Sequence, residues 1–251
     1  MNDLADNGPE RVQKVLARLG YGSRRVCEEI ILARRVKVNG TVAVLGDRVT
    51  PERDRLEVDG QVVSTKANLV YYLLNKPRGV ISTSSDPHGR TTVVELVPKE
   101  PRVFPVGRLD GDSEGLLIMT NDGEIAFQLT HPSHGVEKEY LVHLRRPPTD
   151  SELSKLKRGV ILDDGPTLPT RISRLDLQVV RMTLHEGKNR QIRRMYESVS
   201  NEVVRLVRIR IGPITDRTLK PGEYRELSPK EVIQLRNASS ANVRSRPQTD
   251  R

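Results

Sequence analysis

The chain has 251 residues, enough for one small domain plus a main domain of roughly 150 to 180 residues but short for three. Lys and Arg number 42 against 33 Asp and Glu, and the net charge of +9 predicts attraction to a polyanion, either nucleic acid or an anionic membrane. No apolar run reaches the roughly 18 residues a membrane span needs, and the polar, acidic start MNDLADNGPE is unlike a signal peptide, so a cytosolic protein is expected. Cys27 is the sole cysteine, which excludes an internal disulfide and any multi-cysteine metal site. Its neighbours Val26, Ile30 and Ile31 point to plain burial. The five histidines show no H-E-x-x-H or comparable spacing, and no metal is expected.

The first predicted element is an amphipathic helix. Val12, Val15, Leu16 and Leu19 recur at i, i+3, i+4 and i+7, with Arg11, Lys14 and Arg18 on the opposite face. Gly20-Tyr21-Gly22 breaks it, Ser23 caps a second helix, and Val26, Cys27, Ile30, Ile31 and Ala33 give that helix its own apolar stripe. Val36-Lys37-Val38 alternates as a strand should. Asn39-Gly40 and Asp59-Gly60 are tight-hairpin signals, so the unit closes near residue 63. Between positions 11 and 40, eight basic residues face only Glu28 and Glu29, so six of the nine net charges sit there. A solvated helical face would explain one such stripe. Charge on both helices and on the first strand favours a surface that tracks phosphates.

The segment E-R-V-Q-K-V-L-A-R-L-G-Y-G-S-R-R followed by R-R-V-K-V-N-G resembles the small RNA-binding domain named after ribosomal protein S4, over roughly positions 9–65. In that family the two helices and the following loop lie on RNA backbone. The resemblance carries this role to Arg11, Lys14, Ser23, Arg24, Arg25, Arg34, Arg35, Lys37 and Asn39. It implies docking to RNA shape and no chemistry.

Ser64 to Asn68 reads as a polar linker, and Leu69 to Leu74 as a buried strand opening a larger domain, 69–236. Further strands are expected at Val103 to Val106, Leu116 to Thr120, Tyr140 to Leu144, Val179 to Leu184 and Val203 to Ile211. Thr149-x-x-Glu152 and Ser228-x-x-Glu231 read as capping boxes, and Gln191 to Val199 as a helix. No regular βαβ rhythm appears, so the class is α+β. From Asn237 the composition turns Ser-, Asn-, Arg- and Gln-rich, and 237–251 is expected to be a disordered basic tail.

The stretch V-G-R-L-D-G-D-S-E-G-L-L at 106–117 sets three carboxylates and three glycines before an apolar strand. Spacing alone leaves a surface loop and a ligand site both open. However, V-G-R-L-D-x-x-S-E-G-L-L-I-M-T-N-D-G resembles the signature of the ribosomal RNA pseudouridine synthases of the small-subunit synthase A and large-subunit synthase B type. Asn75-Lys76-Pro77-Arg78-Gly79, Lys138-Glu139-Tyr140 and E-G-K-N-R-Q-I-R-R-M at 186–195 agree with that family in order, extending the likeness from residue 9 to about 235.

This resemblance implies a small αL-type S4-like domain followed by a mixed, mainly antiparallel-sheet synthase domain. The implied reaction cleaves a uridine N-glycosidic bond, rotates the base and rejoins it through C5, with no cofactor, metal or energy source. The resemblance assigns the essential carboxylate to Asp110, acting either on the sugar or as a proton acceptor while the base departs. The uridine must be flipped out of its stack. Arg108 is the residue the resemblance nominates to fill the gap, with a phosphate contact or plain solvation as the alternatives. Tyr140 is nominated to contact the base, with core packing as its alternative; rings are scarce in a chain of two Phe, six Tyr and no Trp.

A basic partner for Asp110 is expected in 186–195, where Lys188 and Arg193 match the family pattern with Arg190 between them. Lys76, Arg190 and the cations Arg205, Arg208 and Arg210 are expected to meet RNA. His88 and His185 are isolated in sequence and read as making a structural hydrogen bond or an RNA contact rather than as a general base. The expected partner is structured ribosomal RNA, large-subunit rather than small-subunit, met in a pre-ribosomal particle by a monomer. The rivals are a non-catalytic ribosome-assembly factor keeping the same fold, and another RNA enzyme such as a methyltransferase, for which no G-x-G-x-x-G follows a strand.

Overall fold

A computed structural model describes residues 8–51, 53–65 and 68–244, with side chains to residue 238. Backbone contacts divide the chain into two compact units, one of residues up to Val70 together with Pro98–Val103, the other of Tyr71–Val97 and the chain from Phe104 onward. The second boundary differs from a plain split at residue 69, because the Pro98–Val103 segment belongs with the first unit. Arg102 there donates to the Gly22 carbonyl at 3.2 Å. Two residues of the expected linker, 66 and 67, lie outside the described residues.

In the smaller unit β1 (Glu10–Arg11) leads into α1 (Val12–Arg18), and α2 (Arg24–Leu32) follows the glycine break. Ser23 caps α2 by accepting from the Val26 N–H at 3.2 Å, as its position before the apolar stripe predicts. Gly22 is needed there: its φ is +142°, and a Cβ would strike Val26 Cγ1 at 2.6 Å. The strands β2 (Val36–Val38), β3 (Thr41–Val42), β4 (Arg48–Val49), β5 (Leu56–Val58) and β6 (Gln61–Val63) come next. Four of them make a sheet in the order β3-β2-β5-β6, while β4 pairs with β1. Asn39-Gly40 and Asp59-Gly60 both turn with positive φ at both residues, the geometry that asparagine, aspartate and glycine tolerate best. Val12, Val15, Leu16, Cys27, Ile31, Val36 and Leu56 form the core, so Cys27 is buried as expected.

The larger unit is built on one nine-stranded sheet. Its strands are β7 (Tyr71–Lys76), β8 (Phe104–Pro105), β9 (Glu114–Thr120), β10 (Lys138–Leu144), β13 (Arg171–Arg174), β14 (Val179–Leu184), β15 (Val203–Ile211), β16 (Ile214–Thr215) and β17 (Tyr224–Glu226). The main path runs β13-β14-β10-β15-β9-β7-β17, with β16 paired to β15 and β8 to β9. Among the described strands every pairing is antiparallel except β15 with β9, where Val207 faces Glu114 and Arg208 faces Gly115. A separate hairpin joins β11 (Ile161–Leu162) to β12 (Gly165–Pro166).

Helices α3 (Gly123–Thr130), α4 (Asp150–Arg158), α5 (Gln191–Glu197) and α6 (Pro229–Arg244) complete the unit. The Thr149/Glu152 box is formed in both directions, and Ser228 and Glu231 exchange the equivalent bonds. One core joins β10, β14 and β15 to α4 and α5, and a second joins β7, β9 and α3 to α6. The class is therefore α+β with a mainly antiparallel sheet, as the patterning implied.

The C-terminal expectation needs a correction. Helix α6 runs on to Arg244 rather than yielding to an irregular chain at Asn237. Its Ser228 cap, the buried Leu235 and the contact of Ala238 with the Gly212 position favour helix where composition alone suggested disorder. Residues 245–251 of the expected tail lie outside the described residues. Among those that are described, no helix is long and apolar enough to cross a membrane.

Candidate active site

The loop between β8 and β9 carries Arg108, Asp110, Asp112 and Glu114, and its course is fixed by hydrogen bonds on both sides of Asp110. Ser82 Oγ accepts from the Leu109 N–H at 3.1 Å and donates to the Leu109 carbonyl at 2.7 Å. The Gly79 N–H donates to the Gly111 carbonyl at 2.7 Å, and the Ser113 N–H to the Asp110 carbonyl at 3.0 Å. From below, Lys76 Nζ donates to the Ser113 carbonyl at 2.8 Å. Arg193 Nη2 donates to the Asp112 carbonyl at 3.1 Å. A loop held at this many points presents its side chains with little freedom.

The three carboxylates are not equivalent. Glu114 is gripped by Arg205 through two bonds of 3.0 and 2.9 Å, which hold its carboxyl below the usual range. Asp112 is gripped by Arg190 at 3.2 and 3.1 Å and approached by Arg193 at 3.3 Å. Burial alone would raise the Asp112 carboxyl, but these two guanidinium groups outweigh it and bring it down. Among the described residues the Asp110 side chain makes no hydrogen bond. Its nearest cation is Arg190 Nη1 at 3.8 Å, and its side chain is 32% exposed.

Asp110 faces a cleft of about 460 Å³ lined also by Arg108, Lys138, Tyr140, Lys188, Arg190 and Arg208. Tyr140 lies on β10 beside a register irregularity between Glu139 and itself, opposite Met182 and Arg208. One side of its ring packs on the core of β10, β14 and β15 while the residue lines the cleft, so packing and cleft contact are both realised. Arg108 is exposed and has no hydrogen-bond or ion-pair partner among the described residues, unlike most arginines nearby.

Several expected placements are corrected. Arg190, not Lys188 or Arg193, stands beside Asp110, because it caps α5 with a left-handed backbone (φ 45°) that turns its side chain back over the 110–112 loop. Lys188 Nζ is spent on the carbonyls of Asp164 and Gly165, at 2.7 and 3.0 Å. Arg193 is 8% exposed and donates to the Val203 carbonyl at 2.7 Å, so it anchors the loop to the sheet.

Lys76 is fully buried, which removes it from any RNA surface; burial pushes its ammonium down to about 8 despite the nearby acids. The three β15 arginines are also paired within the protein, though not equally buried: Arg208 is buried and donates to the Leu116 carbonyl at 2.7 Å, Arg210 is half-buried and donates to Glu137 at 3.0 Å, and Arg205 grips Glu114 while its side chain stays exposed. Sequence reasoning passed over Lys138, which lines the cleft and is pushed down to about 8 by burial and by Arg208. It lies in the same Lys138-Glu139-Tyr140 triplet that singled out Tyr140.

In the smaller unit the basic residues sort the same way. Lys14 and Arg18 both pair with Glu10, at 2.6 and 2.8 Å, and Arg35 pairs with Asp59. Asn39 is engaged by Asp54 and by the Arg55 N–H, both at 2.8 Å, and Ser23 is the α2 cap. The side chains of Arg11, Arg24, Arg25, Arg34 and Lys37 are exposed, with no hydrogen-bond or ion-pair partner among the described residues.

Comparison with known families agrees with this division. Residues 70–198 match the RNA pseudouridylate synthase family, and residues 10–56 match the S4 domain. The chain is 44% identical over 235 residues to ribosomal large subunit pseudouridine synthase B of Bacillus subtilis, covering 90% of this chain and 96% of that protein. This chain is an RNA pseudouridine synthase with an S4 domain.

The synthase is also 44% identical to ribosomal large subunit pseudouridine synthase B of Vibrio cholerae, over 90% of this chain and 74% of that one. An uncharacterized RNA pseudouridine synthase of Mycobacterium leprae is 43% identical over 91% and 93%. A crystal structure of a pseudouridylate synthase superposes with a TM-score of 0.67 at 30% identity, covering 90% of this chain and 99% of that one. The family resemblance and the fold inferred from the sequence are thus upheld.

Proposed function

We propose that this synthase converts one uridine of large-subunit ribosomal RNA to pseudouridine, with Asp110 as the essential carboxylate. The observation that carries the assignment is the contrast among three acids on one loop: Asp112 and Glu114 are neutralised by forked arginines, and Asp110 alone is left with uncommitted oxygens in the cleft. The names of the Bacillus and Vibrio relatives support ribosomal RNA and the large subunit as the substrate.

The chemistry is an isomerisation in which atoms balance within one nucleotide. The C1′–N1 bond breaks, the freed uracil turns, C5 bonds to C1′, and the proton lost from C5 is matched by one gained at N1. Asp110 serves either by attacking C1′ or by accepting a proton as the base leaves, and both routes need it ionised. Arg190 places a positive charge 3.8 Å from it. The free side chain of Arg108, two residues before Asp110, takes the space vacated by the flipped base, and Tyr140 meets the base in the cleft. The five unpaired cations of the S4 domain hold the phosphates of a structured stem-loop presented in a pre-ribosomal particle. One chain carries both docking surface and cleft, so a monomer working in the cytosol suffices.

Carbodiimide mapping of both ribosomal RNAs, after incubation with wild type or Asp110→Asn, tests this reading. One new primer-extension stop in large-subunit RNA with wild type and none with the variant is the expected result. A stop in small-subunit RNA would overturn the substrate. No stop from either protein, on free RNA or on pre-ribosomal particles, with RNA binding intact would point to an assembly factor.

A further inference from the structure

His131 lines the cleft, and two further rings that the uridine chemistry does not use, Phe127 and His134, gather around it. Helix α3 buries Ile125 and Leu129, yet Phe127 between them is 55% exposed. This is one of two phenylalanines in a chain without tryptophan. Its ring centroid lies 4.8 Å from that of His131 and 5.8 Å from that of His134, and the two imidazoles are 6.1 Å apart.

The cluster is held in place. His131 Nδ1 accepts from the Ser133 backbone N–H at 3.2 Å and lies 2.6 Å from Ser133 Oγ. In the neutral ring this leaves the proton on Nε2, available as a donor. Thr130, His131 and Pro132 line the same cleft as Asp110. Thr130 also abuts the 107–110 loop, since a Cβ on Gly107 would lie 3.5 Å from Thr130 Cγ2. The rim is thus continuous with the backbone that presents the unpartnered Arg108.

We propose that Phe127, His131 and His134 form a stacking site for an unpaired base of the substrate RNA that neighbours the reacting uridine. This rests on the uridine-flipping reading of the cleft. Extruding a nucleotide leaves the adjacent bases without a stacking partner, and an exposed ring cluster beside the cleft restores one for any base, since every base has a π face. The free guanidinium of Arg108 and the chain's net charge of +9 favour a nucleic acid occupant over an acidic-poor or apolar protein segment. His131 Nε2–H adds a donor for a base carbonyl or ring nitrogen at the cleft edge.

The test uses the shortest ribosomal RNA stem-loop that the full-length protein protects from nuclease, with 2-aminopurine placed at each unpaired position in turn. Bound to Asp110→Asn protein, the probe should be quenched at one position, and Phe127→Leu in that background should abolish the quenching. With catalytically active protein, Phe127→Leu should raise KM about tenfold with kcat unchanged, and Phe127→Tyr, which keeps a ring, should restore both readouts. Thermal unfolding of each variant confirms that the fold is intact. Unchanged quenching and KM in Phe127→Leu would overturn the stacking site while leaving the isomerase reading standing. Quenching that depends on Phe127 in a protein that makes no pseudouridine would do the reverse.

Discussion

Between residues 110 and 114 three carboxylates compete for the same arginines, and the fork geometry of guanidinium decides which are silenced. Arg190 spends both terminal nitrogens on Asp112 and reaches Asp110 only at 3.8 Å, so it orients the loop and supplies charge without hydrogen-bonding the Asp110 oxygens. Arg190→Lys removes the fork, and single-turnover pseudouridine formation should fall about tenfold or more. Lys188→Gln, whose ammonium serves the Asp164 and Gly165 carbonyls, should stay within about threefold of wild type.

Lys76 makes a pH-dependent prediction opposite in sign to that of a lysine stabilised by an acidic partner. Its folded value of about 8 lies below its ordinary 10.5, so between those values the unfolded chain binds more protons than the native one and stability rises with pH. Below pH 8 the burial penalty is present in full. In urea unfolding, wild type should therefore gain on Lys76→Met as the pH is raised from 8 to 10; a constant gap would show that Lys76 is not titrating in the fold.

At the scale of elements, the site depends on one parallel contact that no local pattern announces. β9 and β15 come from segments ninety residues apart, and they meet where Gly115 faces Arg208. Gly115 has φ +109°, and a Cβ there would fall on the Arg208 carbonyl and within 2.5 Å of its nitrogen. Gly115→Ala should cost about 3 kcal/mol or more, read as a lower urea midpoint, with activity lost alongside stability. A midpoint within experimental error of wild type would contradict this close approach.

This pairing also explains where sequence reasoning reached and where it stopped. Helix caps at Ser23, Thr149 and Ser228, the two hairpins and six of the nine strands of the larger sheet are local signals and were legible, whereas the short strands β13, β16 and β17 were not. Asp110, Arg108 and Tyr140 were nominated only through family resemblance, and all three line one cleft. The partner of Asp110 was not legible, because the left-handed backbone at Arg190 and the carbonyls that absorb Lys188 are tertiary facts. For the same reason Lys76 and Arg208 looked like RNA contacts: a basic side chain in sequence carries no mark of burial.

For the whole molecule, net charge sets affinity for RNA but its placement sets which charges count. Of the basic residues between positions 11 and 40, Arg11, Arg24, Arg25, Arg34 and Lys37 have exposed side chains with no partner among the described residues, whereas Lys14, Arg18 and Arg35 are already neutralised. Each of the first group replaced by Gln should lower the slope of log affinity against log salt by about 0.7 to 0.9 where it meets a phosphate. Changes at Lys14 or Arg18 should move the slope less. Equal effects from both groups, measured by filter binding across a salt series, would contradict this division.

Of the three loop acids, Asp110 alone is proposed to perform the chemistry. The most direct test is single-turnover release of tritium from RNA labelled at uridine C5, compared across Asp110→Asn, Asp112→Asn and Glu114→Gln. Asp110→Asn should release none at any protein concentration while binding RNA as wild type does, and the other two, if folded, should still turn over at reduced rates. Tritium release by Asp110→Asn at a rate comparable with Asp112→Asn would place the chemistry elsewhere.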